Sequence, residues 1–186
     1  TTAAPGQPQA VAGIQTYPWL LTPNLGKWTS AYISAFTDAN EVDVRISFNE
    51  VTSPLVRLTS NDADQIKRMM DAGAHGIIVP LVNSRADAER AVKAMYYPPR
   101  GERGTGLARA QGYGARFADY RAWLEAEGVL IVMVEHIDAV NGLENILTTP
   151  GVDGYIVGPY DLSSSLGKPG DFADPAHAAA IERIRS

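Results

Sequence analysis

Short, uniformly apolar runs alternate with amphipathic stretches along the second two thirds of the chain. Runs that are apolar throughout are typical of strands buried on both faces of a sheet. The amphipathic stretches place apolar side chains three and four residues apart, which is the spacing of a helix face. This succession predicts parallel β-α-β units and an α/β fold. The predicted strands are PLVRL (54–58), GIIVPLV (76–82), VLIVMVEH (129–136) and VDGYIVGP (152–159).

Capping residues mark the ends of the predicted helices. Asn61 and Ser84 are predicted N-caps, and Asp87 stands three residues after Ser84, as in a capping box. Gly73 ends the first helix, and the prolines at 98–99 end the second. The predicted helices cover residues 61–73, 84–97, 115–128, 137–149 and the segment that begins at Asp174-Pro175.

The N-terminal part follows a different pattern. Residues 1–13 are predicted to be a flexible terminus and residues 14–186 a single domain. The segment EVDVRISF (41–48) alternates polar and apolar positions, as a strand with one wet face does. The pattern leaves two architectures open, a (β/α)8 barrel and an open doubly wound sheet. A complete barrel takes about 250 residues, so this chain is one or two units short of one.

Composition and charge narrow the possible functions. The chain has 186 residues, a formal net charge of -5 and no cysteine. These values argue against nucleic-acid binding and exclude thiolate chemistry within the chain. No apolar run approaches the 18 residues of a membrane span, and we expect a cytoplasmic protein.

Polar side chains stand at the carboxyl ends of the predicted strands, where parallel α/β proteins build their sites. These residues are Arg57, Asn83, Glu135 and Asp161. Glu135 and Asp161 suit Mg²⁺ or Mn²⁺, although an ion pair and a turn cap explain them equally well. Amides at 160–163 could face a substrate carboxylate, and Arg57 a carbonyl or enolate oxygen.

Two further features have competing interpretations. The loop at 96–114 is either a solvated basic loop or a cover for an acidic substrate. Among the histidines, His136 follows Glu135 and is expected to be packed or hydrogen-bonded, and His177 is expected to be exposed.

Two long segments resemble the HpcH/HpaI aldolase/citrate lyase family. They are residues 54–114, with the motif YPPRGERGTG, and residues 134–167, with GPYDLSSSLG. The resemblance implies a (β/α)8 TIM barrel of the phosphoenolpyruvate/pyruvate type, incomplete or with a divergent N-terminal part. It also implies a class II aldolase that cleaves 4-hydroxy-2-oxoacids to pyruvate and an aldehyde.

The resemblance also implies roles for individual residues. Glu135 and Asp161 match the ligands of a divalent metal, Mg²⁺, Mn²⁺ or Co²⁺. Arg57 matches the catalytic arginine that binds the carbonyl oxygen of pyruvate. The turn Gly158, Pro159, Tyr160 and Asp161 matches the substrate-binding turn, whose backbone at Tyr160 and Asp161 holds the carboxylate. The implied partners are a small 2-oxoacid (pyruvate, oxaloacetate or a 4-hydroxy-2-oxoacid) and further copies of the chain, as a hexamer or trimer.

The sequence departs from the family at two points. Met133 replaces the usual glutamine, and residues 1–53 contain no Asp-x-Glu-His segment, which normally supplies the proton-transfer histidine and aspartate. These departures keep open a non-catalytic homologue that binds metal and a 2-oxoacid. A citrate-lyase-type acyl-CoA lyase is a further alternative, against which the long aldolase-like loop argues.

Overall fold

The computed structural model describes residues 36–38, 41–43 and 55–185. Strands β1 (Phe36–Asp38) and β2 (Glu41–Asp43) pair antiparallel, so the alternating segment begins as a strand. The remainder of that segment, 44–48, and the predicted flexible terminus at 1–13 lie outside the described residues.

Four parallel strands form the main sheet, and their spatial order is their order in the chain. They are β3 (Leu55–Arg57), β4 (Gly76–Val79), β5 (Val129–Val134) and β6 (Gly154–Val157). The predicted α/β fold with a parallel sheet is therefore confirmed. The main sheet in the described residues has four parallel strands, whereas a closed (β/α)8 barrel has eight.

Helices follow the strands on the connecting segments. They are α1 (Ala63–Ala72), α2 (Arg85–Met95), a 3-10 turn (Arg109–Gln111), α3 (Phe117–Glu127), α4 (Ile137–Asn141), α5 (Leu143–Leu147), α6 (Pro159–Ser165) and α7 (Pro175–Arg185). None of the helices in the described ranges is long and apolar enough to cross a membrane.

Local chemistry explains where the helix predictions held and where they were wrong. Ser84 is the N-cap of α2, and its hydroxyl accepts a hydrogen bond from the amide of Asp87 at 3.2 Å. The N-cap of α1 is Asp62 rather than Asn61, because the Asp62 carboxylate accepts from the amide of Gln65 at 2.9 Å. The predicted helix at 137–149 is interrupted at Gly142 and forms two short helices.

The sheet separates two apolar clusters because successive strand residues point to opposite faces. The larger cluster lies between one face of the sheet and the helices. The smaller cluster covers the other face and consists of Leu55, Ile78, Ile131, Met133 and Ile156. Polar groups that continue this second face beyond the strand ends therefore share one site.

A buried arginine anchors the loop at 96–114. The Arg103 guanidinium donates to the Tyr120 hydroxyl at 3.0 Å and forms an ion pair with Asp71 of α1. Its carbon Cζ lies 4.7 Å from the centre of the Tyr97 ring. Arg103 is 3% exposed, so the solvated-loop interpretation is wrong for this residue.

Candidate active site

Three of the predicted site residues continue the face of the smaller apolar cluster. Arg57, Glu135 and Gly158 each lie two residues beyond a member of that cluster, on β3, β5 and β6 respectively. The period of two along a strand therefore places them at the same end of the same face. Asp161 lies in the first turn of α6, which comes directly after Gly158.

Glu135 is the most buried charged group of this site, at 4% exposure. Its Oε1 accepts a hydrogen bond from the backbone amide of Leu81 at 2.8 Å. Its Oε2 is buried and accepts no hydrogen bond from a described donor. The Asp161 carboxylate is close enough to interact with Glu135, but an ionised carboxylate has no proton to donate. A carboxylate buried in this way is costly unless something compensates its charge.

Gly158 lies directly against this carboxylate. A Cβ atom at position 158 would lie 2.8 Å from Cβ of Glu135 and 2.9 Å from its Oε2. Any side chain there would collide with Glu135, so glycine is needed for the close approach of β6 to β5.

The electrostatics of the site oppose ionisation of Glu135. Burial raises the pKa of Glu135 most, and the negative charge of Asp161 raises it further. The hydrogen bond from Leu81 and the positive charge of Arg57 lower the pKa in part. A cation placed between the two carboxylates would remove the remaining penalty.

Arg57 is exposed at the end of β3 and reaches across β4. Its Nε donates to the sulfur atom of Met133 at 3.3 Å. Met133, the residue that replaces the usual glutamine, therefore contacts the site arginine directly. The Arg57 guanidinium is not in an ion pair with any of the described carboxylates.

Two neighbouring polar residues make local hydrogen bonds. The backbone amide of Asn83 donates to Asp87 at 3.1 Å, near the start of α2, while its buried side-chain oxygen Oδ1 has no partner among the described residues. His136 accepts from the amide of Asp138 at 3.1 Å and caps α4, in agreement with the expected hydrogen-bonded histidine. His177, expected to be exposed, is buried at 5% exposure, because α7 packs it against Phe172.

The donor set fits a hard divalent cation. Two carboxylates with one unpartnered buried oxygen suit Mg²⁺ or Mn²⁺, which retain several waters and leave positions for substrate. No third histidine, cysteine, aspartate or glutamate joins them within the described ranges. An open site of this kind is typical of catalysis rather than of a closed structural cage.

These features define an α/β protein with a carboxylate pair and an arginine at the carboxyl ends of parallel strands. The sequence profile of the HpcH/HpaI aldolase/citrate lyase family matches residues 33–186. The chain belongs to this family.

Curated relatives carry aldolase names. A pyruvate aldolase of Rhizobium etli is 44% identical over 131 residues, which are 70% of this chain and 51% of the relative. A 4-hydroxy-2-oxo-heptane-1,7-dioate aldolase of Shigella flexneri is 40% identical over 134 residues, 71% of this chain and 50% of the relative. The chain thus spans about half the length of the curated relatives it matches.

Solved structures agree with this assignment. The structure of a family member from Burkholderia cenocepacia J2315 is 37% identical in sequence, with a TM-score of 0.67. The match covers 72% of this chain and 54% of the Burkholderia chain. The structure of a citrate synthase, SbnG, is 30% identical in sequence, with a TM-score of 0.62. The match covers 72% of this chain and 51% of the SbnG chain.

Leu81 is the site residue that the sequence did not reveal. It contributes through its backbone amide, which any residue except proline carries. The one available signal was Pro80, since a proline after an apolar run ends the strand and redirects the chain.

Proposed function

We propose that this chain carries the catalytic site of a divalent-metal-dependent carbon-carbon lyase. Its substrates would be 4-hydroxy-2-oxoacids, and its products pyruvate and an aldehyde. The main support for this proposal is the buried Glu135 carboxylate, which lies near Asp161 and whose Oε2 accepts no hydrogen bond from a described donor. The names of the aldolase relatives support the substrate class.

In this proposal each site residue has a distinct role. Glu135 and Asp161 hold the cation, which would be Mg²⁺, Mn²⁺ or Co²⁺. Arg57 binds the 2-oxo oxygen of the substrate. The turn at Gly158 and Pro159 presents the amides of Tyr160 and Asp161 to the substrate carboxylate, since the first amides of a helix have no acceptor within it.

The reaction develops negative charge on the pyruvate part of the substrate. Cleavage of the C3–C4 bond leaves its electron pair on the pyruvate fragment as an enolate. A bound divalent cation supplies Lewis-acid stabilisation of that charge. The Arg57 guanidinium donates hydrogen bonds to the 2-oxo oxygen, which becomes the enolate oxygen, and stabilises the negative charge further. The 4-hydroxyl proton goes to a base, a role that we assign to none of the described residues.

Pyruvate release from 4-hydroxy-2-oxoacids tests this proposal, with Mg²⁺, Mn²⁺ or Co²⁺ against EDTA. We expect metal-dependent release, and a loss of kcat/KM of about 100-fold or more in Glu135→Gln. Glu144→Gln is the matched control, because Glu144 is exposed on α5. Equal activity of Glu135→Gln and the wild type would contradict the proposal.

The citrate synthase among the structural neighbours favours one second candidate, a lyase acting on acyl-CoA esters. Turnover of citryl-CoA or malyl-CoA without pyruvate release from hydroxy-oxoacids would establish that candidate. Metal binding without turnover of either substrate class would indicate a non-catalytic homologue.

We also propose that the whole protein closes its sheet into a (β/α)8 barrel and assembles as a homo-oligomer, a trimer or a hexamer. The four parallel strands in chain order support the barrel, because sequential neighbours are the arrangement that barrels use. Light scattering of the purified protein measures the assembly, and a monomer would exclude it.

A further inference from the structure

We propose that Leu81 is a positioning residue whose backbone amide, held in a left-handed conformation, orients Glu135 for the divalent cation. This inference rests on the proposed metal site. Leu81 acts through Glu135 and is assigned no contact with substrate.

The backbone of Leu81 is unusual for a leucine. Its φ is 56°, and within the described ranges Tyr113 is the one other residue besides glycine with a positive φ. Side chains with a Cβ atom are disfavoured in this region, and such strain persists where the surrounding structure enforces it. Burial of the Leu81 side chain does not explain the strain, because that side chain is 54% exposed.

The register of the sheet explains why this amide is used. Strand β4 ends at Val79, which lies opposite Val132 of β5. Pro80 follows and has no N–H to donate. The amide of Leu81 is therefore the first donor beyond the end of β4, and its hydrogen bond to Oε1 of Glu135 is 2.8 Å long.

The two oxygens of Glu135 are thereby made different. Leu81 fixes Oε1, and Gly158 approaches so closely that an added Cβ would lie 2.9 Å from Oε2. The carboxylate cannot rotate freely, and Oε2 keeps its unused acceptor capacity. Groups that hold a metal ligand in place typically contribute 10- to 100-fold to metal affinity.

The test is Mn²⁺ affinity in the absence of substrate, measured by electron paramagnetic resonance. Leu81→Gly and Leu81→Asn keep the amide and tolerate a positive φ, so we expect a Kd within about twofold of the wild type. Leu81→Val is β-branched and resists that φ, so we expect binding about 10-fold weaker. Leu107→Val is the matched control, since Leu107 is exposed and has no positive φ.

The outcomes separate this inference from the proposed function. If the wild type does not bind Mn²⁺, or Glu135→Gln binds it equally well, both fail. If Glu135→Gln weakens binding but Leu81→Val does not, the role of Leu81 alone is refuted. Weakening in Leu81→Gly equal to that in Leu81→Val would also refute it, since the side chain would then matter.

Hydrogen exchange supplies a second measurement, which stays decisive if Leu81→Val fails to fold. The Leu81 amide should exchange at least about 10-fold faster in Glu135→Ala than in the wild type, because its acceptor is lost. An unchanged exchange rate would contradict the inference.

Discussion

Two buried charges in this molecule have opposite surroundings. The Arg103 side chain is 0% exposed and has Asp71 as its counter-ion, the Tyr120 hydroxyl as an acceptor and the Tyr97 ring beneath it. Glu135, at 4% exposure, has one hydrogen bond and a like charge as its neighbour.

The Arg103 charge is used in contacts within the fold, whereas the Glu135 carboxylate keeps an acceptor oxygen that no described donor uses. The partners of Arg103 come from α1, α3 and the end of α2, so its charge fastens the loop to three helices. No described residue pairs with Oε2 of Glu135, and its surroundings disfavour the ionised form. Removal of one partner from a buried ion pair is destabilising, whereas a buried charge with few partners is a candidate for a functional site.

Removal of the partnered charge is expected to have the largest effect on stability. Arg103→Met removes the buried partner of the Asp71 carboxylate, which keeps its ion pair with Lys67, and we expect a loss of about 2 kcal/mol in the free energy of unfolding. Urea denaturation measures it. In Arg100→Met, which breaks the more exposed pair with Glu125, the loss should stay near 1 kcal/mol or below. Equal losses of stability in Arg103→Met and Arg100→Met would contradict the prediction that the buried arginine contributes more than the exposed one.

The hydroxyl of Tyr120 is expected to have an intermediate effect. It accepts from Arg103 and donates to the carbonyl of Met70 at 3.2 Å. Tyr120→Phe removes both bonds from a buried site, at a cost of about 1.5 kcal/mol in the same denaturation experiment. Tyr113→Phe is the control, because Tyr113 is 76% exposed and should change little. A neutral Tyr120→Phe would show that the network does not depend on this hydroxyl.

The smallest effect has the opposite sign and depends on pH. Glu135→Gln should raise the free energy of unfolding by about 1 kcal/mol in EDTA at pH 7, because it removes a buried charge beside Asp161. The folded-state pKa of Glu135 is raised, so the folded wild type binds the extra proton. Its stability relative to Glu135→Gln is therefore greatest below the unfolded pKa of about 4.3 and falls as pH rises through the folded pKa.

Denaturation of both proteins across pH 4–8 measures this trend. A destabilised Glu135→Gln in EDTA would mean that the ionised carboxylate has a partner in the fold after all. Addition of Mg²⁺ should reverse the order, since a cation bound to the wild type stabilises it by mass action.

The sequence predicted those parts of the site that follow from periodicity. The uniformly apolar runs at β5 and β6 indicated parallel neighbours, and the register aligns Val134 with Val157. That alignment brings Glu135 close to Gly158 and Asp161. The GP-DLS motif and the family resemblance then supplied the roles that periodicity cannot give.

Other features could not be predicted because they depend on contacts distant in sequence. A glycine- and arginine-rich loop indicates solvent exposure, yet Arg103 is buried against Tyr120 of α3 and against Tyr97 at the start of the same loop. Asn61 and Asp62 are both good N-caps by type, and side-chain geometry decides between them. The left-handed conformation of Leu81 accompanies its hydrogen bond to Glu135, which is 54 residues further along the chain, and no local pattern records that contact.

The order of the strands has a consequence for how the protein is made. Because β3, β4, β5 and β6 are neighbours in chain order, each strand that leaves the ribosome can join the sheet edge formed by the one before it. Arg57 emerges first, Leu81 and Glu135 later, and Asp161 last of the four. The proposed cation site is thus complete only after Asp161 has emerged, when β3, β4, β5 and β6 have all been synthesised.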